Sequence, residues 1–281
     1  MQIIHEPSAL QSLCLSWRFA GQRTVLVPTM GYLHAGHESL IIKARELGNK
    51  VIVSLFVNPS QFGPTEDLAA YPRSFEHDAE TAKRLGVDAL FAPEPAAMYA
   101  SDHATWLTVE KLSALLCGAS RPGHFRGVCT VVAKLFMLTL PTYAVFGEKD
   151  WQQLAIVRCM VRDLNIPVTL EGCPIIREKD GLALSSRNAY LTSEERAVAP
   201  HLYAGLREAK RLADTGETNT QTLDDAVRAY WNKHFSLGQV EYLSFIDPEH
   251  LHPINRITGP ARVVAAVRLG RTRLIDNLSL R

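Results

Sequence analysis

The sequence predicts an α/β fold: a doubly wound parallel sheet followed by a smaller α+β unit at the C-terminal end. Three observations predict it. Short apolar, β-branched runs alternate with helix-period segments through the first two-thirds of the chain. Several of these runs are closed by Pro, Gly or Asn, as turns require. The last third reverses the order, with helical patterns first and strands after them.

The elements follow in order. "RTVLVP" (23–28) is a short apolar run ending in a breaker, and reads as a buried strand. "HESLIIKAREL" (37–47) carries the apolar spacing of an amphipathic helix. "KVIVSLFVN" (50–58) is the second strand, and "FEHDAETAKRLG" a helix closed by Gly86. "VDALFAP" is a third strand. "GVCTVVAKLFMLTL" is a helix that must end before Pro141. "YAVFGEKD" runs from a strand into a turn, "WQQLAIVRCMVRDLN" is the next helix, and "IPVTLEGCPII" returns to strand. Strand–helix–strand repetition implies right-handed crossovers and a parallel, Rossmann-like sheet covered on both faces. Beyond it, residues 192–216 read as one helix opened by a capping box, and "TLDDAVRAYWNKHF" as a second. "QVEYLSFIDP", "RVVAAVRLG" and "TRLIDNLSL" are strands, the last two joined around Gly270. The expected division is residues 1–175 and 176–281.

A length of 281 residues allows one large domain or two ordinary ones. The formal net charge of +1 gives no global electrostatic case for nucleic acid or a membrane surface. Five cysteines, an odd number with no C-x-x-C pair, argue against a disulfide framework or a zinc ribbon. Reduced thiols and a cytoplasmic location are expected. No basic region followed by an apolar core opens the chain, and no apolar run approaches the roughly 20 residues of a bilayer span.

In a parallel sheet, ligands bind outside the carboxyl ends of the strands. Two conspicuous segments lie there. In "PTMGYLHAGH" (28–37), His34 and His37 stand three apart where a strand turns into a helix. Imidazoles beside the free N–H groups of a helix start favour phosphate. A polar loop, or half of a metal site, has the same spacing. The commoner phosphate cradles, G-x-x-x-x-G-K-[ST] and G-x-G-x-x-G, are absent. In "FGEKDWQQ" (146–153), Lys149 stands at a strand end within reach of a phosphate, or in a charged surface turn. "LALSSRNAYL" gathers Ser185, Ser186 and Arg187, donors suited to a polyphosphate or to a plain turn. "FVNPSQF" holds Gln61 between aromatics. "DLAAYPRSFEHD" holds Asp67, Arg73 and Asp78, and "RPGHFRGV" (121–128) two arginines and His124.

Together with "YPR" and the terminal "TRLIDN", these segments occur in the order found in the pantoate–β-alanine ligase family, and the resemblance covers nearly the whole chain. The H-x-G-H element alone is shared more widely, with cytidylyltransferases and class I aminoacyl-tRNA synthetases. The resemblance implies an ATP-dependent condensation of pantoate with β-alanine through a pantoyl adenylate, with magnesium accompanying the phosphates. It implies an ATP site of Met30, Gly31, Tyr32, Leu33, His34, Ala35, Gly36 and His37, with Gly147, Glu148, Lys149 and Asp150, and with Ile176, Leu184, Ser185, Ser186 and Arg187. His37, His34 and Lys149 are the catalytic candidates, with the usual proton-donor assignment on His37. Gln61 and Gln153 would hold pantoate, and Gln61 would also lie near β-alanine. Asp78 is the candidate for a magnesium shell. The resemblance also implies a homodimer and a C-terminal lid. The chain departs from the family pattern at Ala35, where Glu is frequent, at Leu184, where Met is usual, and at His77, where an acidic residue is common. Two other readings keep the nucleotide site: a nucleotidyltransferase with a stable nucleotide product, and a nucleotide-sensing module without chemistry.

Overall fold

The computed structural model describes residues 1–64 and 66–281. The chain divides into two compact units, residues 1–148 with 156–174, and residues 149–155 with 175–281. The segment after the fifth strand therefore groups with the C-terminal residues, a feature absent from the expected division at 175/176.

The first unit holds a six-stranded, all-parallel sheet. Its strands are β1 (Gln2–Ile4), β2 (Thr24–Thr29), β3 (Lys50–Leu55), β4 (Ala89–Phe91), β5 (Tyr143–Gly147) and β6 (Thr169–Cys173), in the order β1-β4-β3-β2-β5-β6. Between them run α1 (Pro7–Phe19), α2 (Ala35–Leu47), α3 (Phe75–Arg84), three single-turn helices α4 (Pro95–Met98), α5 (Glu110–Ser113) and α6 (Cys117–Ser120), then α7 (His124–Thr139) and α8 (Trp151–Asp163). The division between the units falls inside α8. Val25, Leu26 and Val27 of β2 and Val51, Ile52 and Val53 of β3 are wholly buried, which is why these strands read as unbroken apolar runs. Ile41 and Ala44 of α2 pack on this sheet with Val25, Val51, Leu90 and Val145. Edge strand β1 and helix α1 carry no strong periodic signal and were not read from sequence.

The strand order reverses between β2 and β5, the topological switch point where such sheets bind ligands. Pairing of β2 with β5 stops at Leu26, two residues before Pro28, which has no N–H to donate. The carboxyl end of β2 is thus free of β5, and the PTMG turn leaves the sheet there.

The second unit is an antiparallel sheet of β7 (Gly238–Ile246), β8 (Arg262–Leu269) and β9 (Thr272–Ser279), in the order β7-β8-β9. Helices α9 (Ser193–Val198), α10 (His201–Asp214) and α11 (Thr220–His234) precede it. Leu202, Leu206, Val227 and Trp231 pack on Val263, Val267 and Leu274. The single helix expected over 192–216 is two helices, because Pro200 cannot continue the ladder of α9 and starts α10 instead.

Candidate active site

The turn after β2 is held from both sides. Thr29 Oγ1 donates to Ser54 O (2.7 Å) and accepts from Gly31 N (3.2 Å). Gly31 (φ +85°) and Tyr32 (φ +53°) are consecutive left-handed residues. For tyrosine that conformation is costly and persists only where its surroundings enforce it. Asp78, near the start of α3, enforces it: its carboxylate accepts from Tyr32 N and Leu33 N, each at 2.7 Å. His77 Nε2 lies 3.3 Å from Leu33 O, so one dipeptide grips both polar groups of Leu33's main chain. A side chain at Gly31 would begin 3.0 Å from Asp78 Oδ2, a second reason for glycine there. Burial pushes the Asp78 carboxyl up, the bonds from Leu33 and Tyr32 and the charge of His77 pull it down, and burial prevails.

His34 and His37 cap α2 reciprocally. His34 Nδ1 accepts from Gly36 N (3.1 Å), and His37 Nδ1 accepts from His34 N (3.4 Å). This is the capping box made with two imidazoles in place of a hydroxyl and a carboxylate. The rings lie 4.1 Å apart at 35°. With both Nδ1 atoms accepting, the neutral rings carry their protons on Nε2. The expected helix began at the second histidine. The observed one begins at Ala35, so His34 is its N-cap and His37 lies in its first turn.

Gln61 is 8% exposed and fixed at both ends. Its Oε1 accepts from Asn58 Nδ2 (3.0 Å), and its Nε2 lies 3.1 Å from Met30 Sδ, which brings it to the PTMG turn. Its main-chain oxygen accepts from His124 Nδ1 (2.8 Å) and Arg121 (3.4 Å). Arg121 is held in turn by a bidentate pair with Glu66 (2.5 and 2.8 Å). Asn58 also donates to Gly127 O (3.1 Å), and a Cβ on Gly127 would stand 2.4 Å from Ser60 O. The "RPGHFRGV" motif therefore positions Gln61. Sequence reasoning missed Asn58. Its signal was an Asn-Pro at a strand end, the start of an Asx turn, and its side chain does accept from Ser60 N.

Gly147 ends β5 and Glu148 opens the 3₁₀ turn after it, both in the first unit. The second unit holds Lys149, Asp150, Gln153, Ile176 and the segment from Leu184 to Arg187. Asn277 Nδ2 donates to Lys149 O (3.0 Å). Leu184 N donates to Ile176 O (3.0 Å), joining two expected site residues. Ser185 Oγ accepts from Arg187 N (3.3 Å) and caps the 3₁₀ turn Ser186–Tyr190.

Among the described residues, no three His, Cys, Asp or Glu side chains converge as a metal cluster. Asp78, expected in a magnesium shell, is 2% exposed and commits both oxygens to the turn. The described residues thus offer no magnesium site closed by protein ligands alone, whereas magnesium held with a nucleotide needs only one or two carboxylates.

Residues 2–279 match the family described as pantoate-beta-alanine ligase. A pantothenate synthetase of Oleidesulfovibrio alaskensis is 60% identical over 280 residues, covering 100% of both chains. The crystal structure of pantothenate synthetase from Thermus thermophilus superposes with a TM-score of 0.94 at 44% identity, covering 100% of this chain and 99% of that one. Pantoate-beta-alanine ligase of Francisella tularensis, solved in complex with beta-gamma ATP and beta-alanine, gives a TM-score of 0.82 at 33% identity over 100% of this chain and 98% of that one.

Proposed function

The chain belongs to the pantoate–β-alanine ligase family, and from that premise we propose how its residues divide the reaction. A carboxylate oxygen of (R)-pantoate attacks the α-phosphorus of ATP, and pyrophosphate leaves. The β-alanine amine then attacks the acyl carbon of pantoyl adenylate and loses a proton. AMP leaves with the oxygen that came from pantoate, and the amide is pantothenate.

The observation that carries this reading is the reciprocal histidine cap at the start of α2, beside the switch point of the sheet. It orients both imidazoles through Nδ1, next to the positive end of a helix. Charge grows on the phosphate oxygens as pyrophosphate departs, and fixed donors stabilise that charge more than the ground state. The roles of His34 and His37 are therefore electrostatic. Lys149 adds a point charge on the phosphates, and Asp150 lies near the ribose. Ser185, Ser186 and Arg187 complete the nucleotide contacts with Met30 to His37, Gly147 to Asp150, Ile176 and Leu184. Gln61 and Gln153 hold pantoate, and Gln61 also borders β-alanine. Its rigid setting by Asn58, Met30 and His124 is what orientation of a carboxylate requires.

Magnesium enters as part of the nucleotide substrate, and no step is assigned to it. The enzyme is cytoplasmic and homodimeric. An odd number of cysteines with no C-x-x-C pair favours a reducing compartment, and the dimer rests on the family resemblance. Light scattering should return twice the chain mass.

The test is isotopic. Pantoate labelled with ¹⁸O in its carboxylate should deliver one labelled oxygen to AMP for each pantothenate formed. Unlabelled AMP would remove the adenylate from the pathway.

A further inference from the structure

Asp276 and Asn277, the end of the "TRLIDN" motif, have no task in the reaction so far. Both are buried, at 3% exposure, on β9, where they pair with Ala265 and Val264 of β8. Their polar groups reach two separate segments.

Asn277 reaches the first. Its Oδ1 accepts from the Arg262 guanidinium, which leaves one amide orientation and aims Nδ2 at Lys149 O, 3.0 Å away. Arg262 Cζ lies over the Trp151 ring, 3.5 Å from its centroid, and Trp151 Nε1 donates to Pro248 O at 2.9 Å. Main chain at residue 149 and side chain at residue 151 are thus tied to the second unit, which is why residues 149–155 group with it.

Asp276 reaches the second. It takes Arg177 in a bidentate pair at 2.6 and 2.8 Å. Arg177 also donates to Gly181 O (3.1 Å) and lies 3.5 Å over the Tyr203 ring. The main chain of Arg177 bridges to Ala183, and Glu178 N donates to Leu182 O (2.8 Å). This narrow hairpin runs directly into Leu184–Arg187. Asp276 Oδ1 also accepts from Asn277 N (2.7 Å), locking the two residues together.

We infer that Asp276 and Asn277 are positioning residues. Adjacent on one strand, they fix the main chain of Lys149 relative to the Ser185–Arg187 segment, so that lysine, hydroxyls and guanidinium meet one nucleotide in register. The inference rests on the proposed phosphate contacts of Lys149 and of residues 185–187. Neither Asp276 nor Asn277 touches substrate. A stability role alone would be served as well by apolar residues, because a buried ionic network gains little net free energy over a well-packed apolar one.

The test is a double-mutant cycle with Lys149. Asn277→Asp keeps an oxygen for Arg262 and turns a charged acceptor toward Lys149 O in place of the donor, whereas Asn277→Ala loses both bonds. The cycle is readable from either variant that folds, as judged by circular dichroism and Tm. Each should lower kcat/KM for ATP about tenfold, the scale of one lost hydrogen bond in a site, and leave KM for β-alanine unchanged. In the Lys149→Ala background neither should cause further loss, since each acts through Lys149. Losses that multiply in that background, or Asn277→Asp turning over at the wild-type rate, would overturn the inference while leaving the role of Lys149 intact. A Lys149→Ala enzyme at the wild-type rate would overturn both.

Discussion

Replacing Asp78 with alanine removes two charge-assisted acceptors at once, both at 2.7 Å and both buried. A hydrogen bond to a charged group contributes about 1.5 to 3 kcal/mol, and a buried N–H left without a partner costs about 1 to 3 kcal/mol. The two lost bonds sum to about 3 to 6 kcal/mol before the turn relaxes. For a chain of this size, 1 kcal/mol corresponds to about 2 to 4 °C in Tm, so the ligand-free Asp78→Ala protein should melt about 10 °C lower. Asp78→Asn keeps one acceptor and turns an amide donor toward the other N–H, so it should lose at least half as much. Because the strained Gly31–Leu33 turn leads into the start of α2, KM for ATP should rise several-fold in both variants and KM for β-alanine should not. The assays are scanning calorimetry on the apo protein and initial rates with each substrate varied. A magnesium-ligand role makes the opposite forecast: unchanged apo stability and a raised magnesium requirement. That outcome would refute the account of Asp78 as the strap of the turn.

Three other outcomes follow from the same geometry. His37→Ala and Lys149→Ala should each slow pantoate-dependent pyrophosphate release about a hundredfold, the scale of losing one donor to a developing oxyanion; wild-type rates would exclude them from the chemistry. Burial pushes the Glu66 carboxyl up, but Arg121, helped by His124 and Gly63 N, outweighs it and holds the group below its ordinary 4.5. Its folded value being the lower one, the pair stabilises fully above about pH 4.5, and the contribution fades as pH falls through the folded value. Glu66→Gln should therefore lose about 2 kcal/mol at pH 7, and the gap from wild type in urea titrations should close below pH 4.5. A gap independent of pH would contradict the pairing. Burial pushes the thiols up to about 12 for Cys14 and to about 11 for Cys129 and Cys173. Iodoacetamide at pH 8 should leave all three unmodified in the native protein and alkylate them in urea, read by peptide mass spectrometry. Rapid native alkylation of any of them would contradict its burial.

The sheet was legible because burial on both faces writes strands such as 24–29 and 50–55 as continuous apolar runs, and because helices such as α3 keep their period. The H-x-G-H turn was legible as a helix start at a strand end, with a phosphate site, a polar loop and half of a metal site all compatible with its spacing. Its construction was not. The histidines cap each other through Nδ1, and Asp78 strains the turn from 45 and 46 residues away. Such partnerships depend on which loops the fold brings together, and no local pattern encodes them. The same limit hid Asn277, which reaches across 128 residues to Lys149. It also hid the grouping of residues 149–155 with the C-terminal unit, which is made by Asn277, Arg262 and Pro248. Pro200 was a local signal whose weight was missed, since a capping box and good helical spacing on either side masked the break.

The most direct measurement of the central claim is exchange of labelled pyrophosphate into ATP without β-alanine. A reversible adenylation on the donors of His34, His37 and Lys149 predicts exchange that requires pantoate, proceeds with β-alanine absent and collapses in His37→Ala. No exchange under conditions where pantothenate still forms once β-alanine is added would contradict a separate adenylation step.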